Sequence, residues 1–129
     1  MIDGVGVDII EVSRIRNAIS RWGDSFLNRI FTPWEITYCR RKAFPEQSFA
    51  ARFAVKEAVL KAVGTGYKRG IKWTSVEIVN DEFGQPSVRL GERVTALIGN
   101  KQIIVSMSHT RDMAIGSAIM FATKRAHHE

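Results

Sequence analysis

EQSFAARFAVKEAVLKAVG, residues 46–64, is the stretch around which the rest of the chain is organised. Ala50, Ala51, Ala54, Ala58 and Ala62 are the strongest helix formers, and their small side chains let a neighbouring element come close. Gly64 is the residue type that most readily ends a helix in the left-handed conformation. The spacing predicts one long helix from about Glu46 to Val63. Pro45 limits what precedes it, because the residue before a proline is steered out of the helical region. Along this helix Phe53, Glu57 and Lys61 stand four apart and form one slowly drifting stripe.

Upstream, Thr32-Pro33-Trp34-Glu35 has the composition of a helix start: a capping hydroxyl, a proline for the first turn, and a glutamate three residues on. That helix is expected to fade by Ala43. Asp24 to Phe31 reads as a further helical piece. Ser13 is the expected N-cap of an earlier helix that ends at Trp22, before Gly23, with Ile15, Ala18, Ile19 and Trp22 on its apolar side. Gly4 to Ile10 reads as a strand, interrupted by the carboxylate of Asp8.

Downstream the pattern changes. Ser75 to Val79 alternates as a strand, Asp81 to Pro86 is turn chemistry, and Ser87 to Leu90 returns as its hairpin partner. A short helix is expected over Glu92 to Ile98. Strands follow over Ile103 to Ser108 and Met113 to Ala122, joined by the tight segment His109 to Asp112. A helical block between one N-terminal strand and a C-terminal strand set is an α+β pattern. The 129 residues suit a single domain over 1–129, with residues 124–129 expected to be a flexible tail.

The 19 Lys and Arg against 13 Asp and Glu give a net charge of +6, which favours an anionic partner without naming it. Small groups lie at Arg40/Arg41/Lys42, Lys68/Arg69/Lys72 and Lys124/Arg125, but no run is dense enough for a basic arm. A basic nucleic-acid-binding module is the alternative from another class. The chain lacks zinc spacing and a concentrated basic stripe, so no nucleic-acid partner is expected. There is no Gly-rich nucleotide loop of the G-x-x-x-x-G-K-[ST] form. The single Cys39 excludes an intramolecular disulfide. No apolar run is long enough for a membrane span and the N-terminus does not read as a signal peptide, so a cytoplasmic protein with no membrane partner is expected.

Asp8 and Glu57 are the chemically suggestive pair. A carboxylate in an apolar strand loses hydration unless it is paired, and magnesium is satisfied by one or two carboxylates plus water and phosphate oxygens. The plainer alternatives are equally physical. Glu57 and Lys61 suit a solvated i, i+4 pair, and Asp8 can cap the helix that follows.

Gly6-Val7-Asp8, together with Phe53-Ala54-Val55-Lys56-Glu57-Ala58-Val59-Leu60-Lys61, resembles the two signature segments of the 4′-phosphopantetheinyl transferase superfamily. Ala62-Val63-Gly64-Thr65-Gly66, the Asp81 to Pro86 turn and Ser106-Met107-Ser108-His109-Thr110 extend the likeness to the short, holo-acyl-carrier-protein synthase type. The resemblance runs from Met1 to about Met120 and is weakest over Trp22 to Pro45. It implies an α+β fold of mostly antiparallel strands with one long and several short helices, assembled as a homotrimer with active sites between protomers. It further implies Mg2+ held by Asp8 and Glu57, coenzyme A as donor, and the serine of an acidic acyl carrier protein as acceptor, in support of fatty acid biosynthesis. Serine attack on the β-phosphorus would release 3′,5′-ADP. Lys61 would stabilise or protonate the departing phosphate, with Glu57 or a metal-bound water as base. Arg52, Lys56, His109 and Thr110 are the further coenzyme A contacts, and Arg14, Arg16 and Arg21 the carrier-docking residues. His127 and His128 are assigned no role. A non-catalytic homologue that binds coenzyme A or an acidic partner is the remaining alternative.

Overall fold

The structure, a computed structural model, describes residues 1–64 and 70–123. Thr65, Gly66, Lys68 and Arg69, and the expected tail with Lys124, Arg125, His127 and His128, lie outside the described residues. The elements are β1 (Ile2–Glu11), α1 (Val12–Trp22), α2 (Asp24–Ile30), α3 (Pro33–Arg40), α4 (Pro45–Val63), a 3₁₀ turn (Trp73–Ser75), β2 (Val76–Asn80), β3 (Pro86–Leu90), α5 (Glu92–Ile98), β4 (Lys101–His109) and β5 (Met113–Ala122). Strands β1, β5 and β4 form an antiparallel sheet in that order, and β2 pairs with β3 as a separate hairpin. The class is α+β, as expected.

Helix α4 lies across the three-stranded sheet and is the spine of the core. Phe49, Ala50, Ala54, Val55, Ala58 and Val59 are buried along it. Gly64 closes it in the left-handed conformation, with φ 86° and its N–H donated to Leu60 O at 2.9 Å. Close approach to the sheet depends on glycines. A Cβ on Gly6 would lie 1.9 Å from Ala58 O, and one on Gly116 would lie 2.4 Å from Val55 N. Backbone therefore rests on backbone where an ordinary strand would interpose side chains.

Gly4, Gly6, Asp8 and Ile10 alternate toward α4. Val5, Val7 and Ile9 point the other way and are 63%, 54% and 61% exposed. Ile104 and Ile115 share that outer face. No described helix is long and apolar enough to cross a membrane.

One start signal is displaced. Helix α1 begins at Val12, directly off β1, and Ser13 is not its cap. Glu11 is the N-cap residue, and no side chain caps the helix. The Val12 N–H instead donates to Asp112 O at 2.8 Å, so the β4–β5 turn satisfies it. At α3 both arms of the capping box form, with Thr32 N donating to Glu35 Oε1 at 2.8 Å and Glu35 N to Thr32 Oγ1 at 3.3 Å.

Candidate active site

The glycine-dependent contact between β1 and α4 brings together two carboxylates 49 positions apart in sequence. Asp8 faces the helix from β1, Glu57 is half-buried on α4, and Lys61 lies one turn further on. Lys61 Nζ donates to Asp8 Oδ1 at 3.1 Å and to Val7 O at 3.0 Å. Burial pushes the Glu57 carboxyl above its ordinary range, the Asp8 charge raises it further, and Lys61 offsets part of this. Asp8 is therefore not a helix cap, and Glu57 is not merely the solvated partner of Lys61.

Two mutually repelling carboxylates with one exposed ammonium retain a net negative charge, which suits a hard divalent cation. Among the described residues no group of three or more His, Cys, Asp or Glu forms a closed cage. The donor set fits Mg2+, which keeps much of its shell for water and phosphate oxygens. It does not fit a structural zinc site, which needs four ligands.

Beside α4 opens a cavity of 540 Å³ lined by Arg52, His109, Lys42, Tyr38, Phe44 and Pro86, among others. Arg52 is only 2% exposed. Its Nη1 donates to Ser48 Oγ at 3.2 Å, its Nη2 donates to Asn80 Oδ1, and its guanidinium carbon sits 4.4 Å over the Tyr38 ring. Its Nε is buried with no hydrogen-bond partner among the described residues. Such a group costs free energy unless an acceptor meets it, and an anionic ligand oxygen would do so.

His109 is exposed at the end of β4. Thr110 shapes the turn beyond it, its Oγ1 accepting from Asp112 N at 3.3 Å and Met113 N at 3.1 Å. Lys42 Nζ also lies 4.5 Å from the centre of the Tyr38 ring, so two cationic groups meet this ring at the cavity wall.

Lys56 is a correction. Its side chain is fully buried, with Nζ 2.8 Å from Glu35 Oε1 and donating to Trp73 O at 3.1 Å and Val76 O at 2.6 Å. All three ammonium donors are spent inside the protein, which leaves none for a substrate phosphate. Burial lowers its pKa, and the Glu35 charge resists that shift. Helical geometry is the reason: Lys56 is rotated about 100° from Glu57 and so faces the core.

Arg14, Arg16 and Arg21 are all exposed on α1. Arg16 Nε lies 3.9 Å from Glu46 Oε1, and Arg21 stacks 5.0 Å over Trp22. Cys39 is buried, and its Sγ accepts from Ser48 Oγ at 3.2 Å. Sequence reading missed Tyr38, Lys42 and Asn80 as parts of the cavity. Only Asn80 carried a local signal, its place before the Asp81 turn, where its Nδ2 donates to Gly84 O at 3.0 Å.

Comparison with known proteins identifies the family. Residues 4–115 match the sequence family described as the 4′-phosphopantetheinyl transferase superfamily. The holo-[acyl-carrier-protein] synthase of Solibacter usitatus is 43% identical over 123 residues, covering 93% of this chain and 98% of the relative. That of Chlamydia muridarum is 48% identical over 120 residues, covering 93% and 95%. The crystal structure of the Neisseria meningitidis synthase superposes with a TM-score of 0.85 at 31% identity, covering 94% of this chain and 99% of that one. The Helicobacter pylori synthase in complex with coenzyme A gives 0.82 at 27% identity, covering 91% and 99%. The chain thus belongs to the 4′-phosphopantetheinyl transferase superfamily, among its holo-[acyl-carrier-protein] synthases.

Proposed function

We propose that this protein transfers the 4′-phosphopantetheine group of coenzyme A to a serine of an apo acyl carrier protein of fatty acid biosynthesis, with Mg2+ held by Asp8 and Glu57. The observation that carries the reading is the Asp8–Glu57–Lys61 group, whose Glu57 and Lys61 share α4 with Arg52 of the cation-lined cavity. When bound, the ion would supply Lewis-acid polarisation and charge compensation for the pyrophosphate. Arg52 and His109 line the cavity, where the phosphorylated adenosine portion would lie, and Thr110 follows His109 in the turn beyond it. Arg52 would receive an anionic oxygen at its unsatisfied Nε.

Lys61, half-exposed beside Asp8, would neutralise charge on the departing 3′,5′-ADP. Glu57 or a metal-bound water would take up the serine proton. Incubation with coenzyme A and apo carrier should release one 3′,5′-ADP for each serine modified. Nucleotide release without carrier modification would contradict transfer.

The exposed arginines of α1 suit an acidic carrier, since rim charges govern encounter and register. Arg14→Glu or Arg21→Glu should raise the carrier KM several-fold while leaving the coenzyme A KM within about twofold. An unchanged carrier KM would remove α1 from the docking surface.

The outer face of the three-stranded sheet, with Val5, Val7, Ile9, Ile104 and Ile115 uncovered, supports burial against another copy of the chain, and the family resemblance is what makes that assembly a homotrimer in which a neighbour would close each cleft. Sedimentation at three times the 14.5 kDa chain mass is the expected result, and a stable monomer would count against it.

A further inference from the structure

The edge of β2 away from β3 has no neighbouring strand among the described residues. Ser75 O faces β3, where it accepts from Gly91 N at 2.8 Å. Strand alternation therefore turns the backbone groups of Val76 and Ile78 to the opposite edge. There Glu35 Oε2 accepts from Ile78 N at 2.7 Å and Lys56 Nζ donates to Val76 O at 2.6 Å. Glu35 and Lys56 are themselves paired at 2.8 Å, and both side chains are fully buried.

We propose that the Glu35–Lys56 pair is a positioning device for the substrate cavity, standing in for a missing third strand and fixing the β2–β3 hairpin against α4. The hairpin turn supplies Gly84, Gln85 and Pro86 to the cavity wall, and Asn80 at its base accepts from Arg52. Lys56 sits on α4 between Arg52 and Glu57, and Glu35 meets it from α3. The pair thereby sets the distance between the helix that carries the reactive carboxylate and the wall opposite. An apolar pair of similar volume would fill the same space, since a buried ion pair is often replaceable in terms of stability alone. It could not hydrogen-bond the strand edge. Loss of the pair is thus a loss of placement more than of packing. Glu35 and Lys56 are positioning residues and touch no substrate. The substrate named here rests on the transfer activity proposed above.

The test uses the full chain with the double substitution Glu35→Leu/Lys56→Met, which leaves no unpaired buried charge, and its folding is checked by circular dichroism. The coenzyme A KM is expected to rise about tenfold with kcat held within about threefold. Amide hydrogen exchange across residues 76–85 should accelerate in parallel. A raised KM with unchanged exchange would overturn the proposal in favour of direct contact between Lys56 and substrate. An unchanged KM would overturn it in favour of a purely structural pair. Should the double variant not fold, Glu35→Gln carries the same two readouts at reduced size. A wild-type chain that modifies no apo carrier would sink the transfer activity. The exchange readout would then decide the positioning role by itself, faster exchange supporting it and unchanged exchange overturning it.

Discussion

Glu57→Gln should abolish most phosphopantetheine transfer while leaving the protein at least as stable as before. The side chain keeps its shape and loses its charge, so the Asp8–Glu57 pair can no longer hold a divalent cation with two carboxylates. A cation is worth several kcal/mol of charge stabilisation in such a reaction. With tenfold in rate for each 1.36 kcal/mol, the loss is expected to be about 10²- to 10³-fold in kcat. EDTA should reduce the wild type to a similar level and have little further effect on the variant.

Stability should move the other way. Burial and the Asp8 charge both raise the Glu57 pKa, so the folded state disfavours its ionised form. Its relative contribution to stability is greatest below the ordinary glutamate range and falls as pH rises through the raised folded-state value. At neutral pH and without metal, the neutral glutamine escapes that penalty, and thermal denaturation should show an equal or higher Tm. The advantage should vanish on acidification below the ordinary glutamate range. Loss of activity accompanied by a lower Tm would mean that Glu57 is a structural residue.

The second large effect is steric. Gly6→Ala places a methyl group 1.9 Å from Ala58 O, a backbone atom of α4 that cannot rotate away. Either the helix lifts or the strand shifts. Overpacking of this kind costs about 3 kcal/mol at the upper end of its usual range. For a domain of this size, a Tm decrease of roughly 10 °C follows. Gly91→Ala is the matched control. Its Cβ would meet Ser75 only at 3.5 Å, an ordinary contact, and its φ of −68° is open to any residue. That variant should stay within about 0.5 kcal/mol of wild type. In the fraction of Gly6→Ala that still folds, the carboxylates are forced apart, so specific activity should fall further than the folded fraction alone explains. Calorimetry and rate measurements on the same preparation separate the two effects. A Gly6→Ala protein with wild-type Tm would contradict the backbone-on-backbone packing.

Local chemistry made much of this fold readable. The alanine spacing and Gly64 marked α4, the Thr32–Glu35 box marked α3, and the expected limits of α5 and β5 coincide with those observed. These signals lie within a few residues of the structure they specify. Ser13 misled because the satisfying partner of the first α1 N–H is Asp112 O, far away in sequence. Lys56 misled for a related reason. Next to Glu57 in a charged signature it invites a phosphate role, yet its partner is Glu35, 21 positions upstream, and no periodicity encodes that contact.

The cavity was legible only in part. Arg52 and His109 stood beside recognisable motifs, whereas Tyr38 and Lys42 reach the same wall through the packing of α3 on α4. Glu35 does three jobs, closing the α3 capping box, pairing with Lys56 and bonding the β2 edge, and sequence spacing displays only the first.

The most direct measurement is the intact mass of an apo acyl carrier protein after incubation with this protein, coenzyme A and Mg2+, run beside Asp8→Ala, Glu57→Ala and an EDTA control. The expected result is a gain of one phosphopantetheine group on the carrier with wild type, lost in both variants and with EDTA. No gain with wild type on any of several apo carriers, or a gain undiminished in the variants and with EDTA, would contradict transfer at a cation held by Asp8 and Glu57.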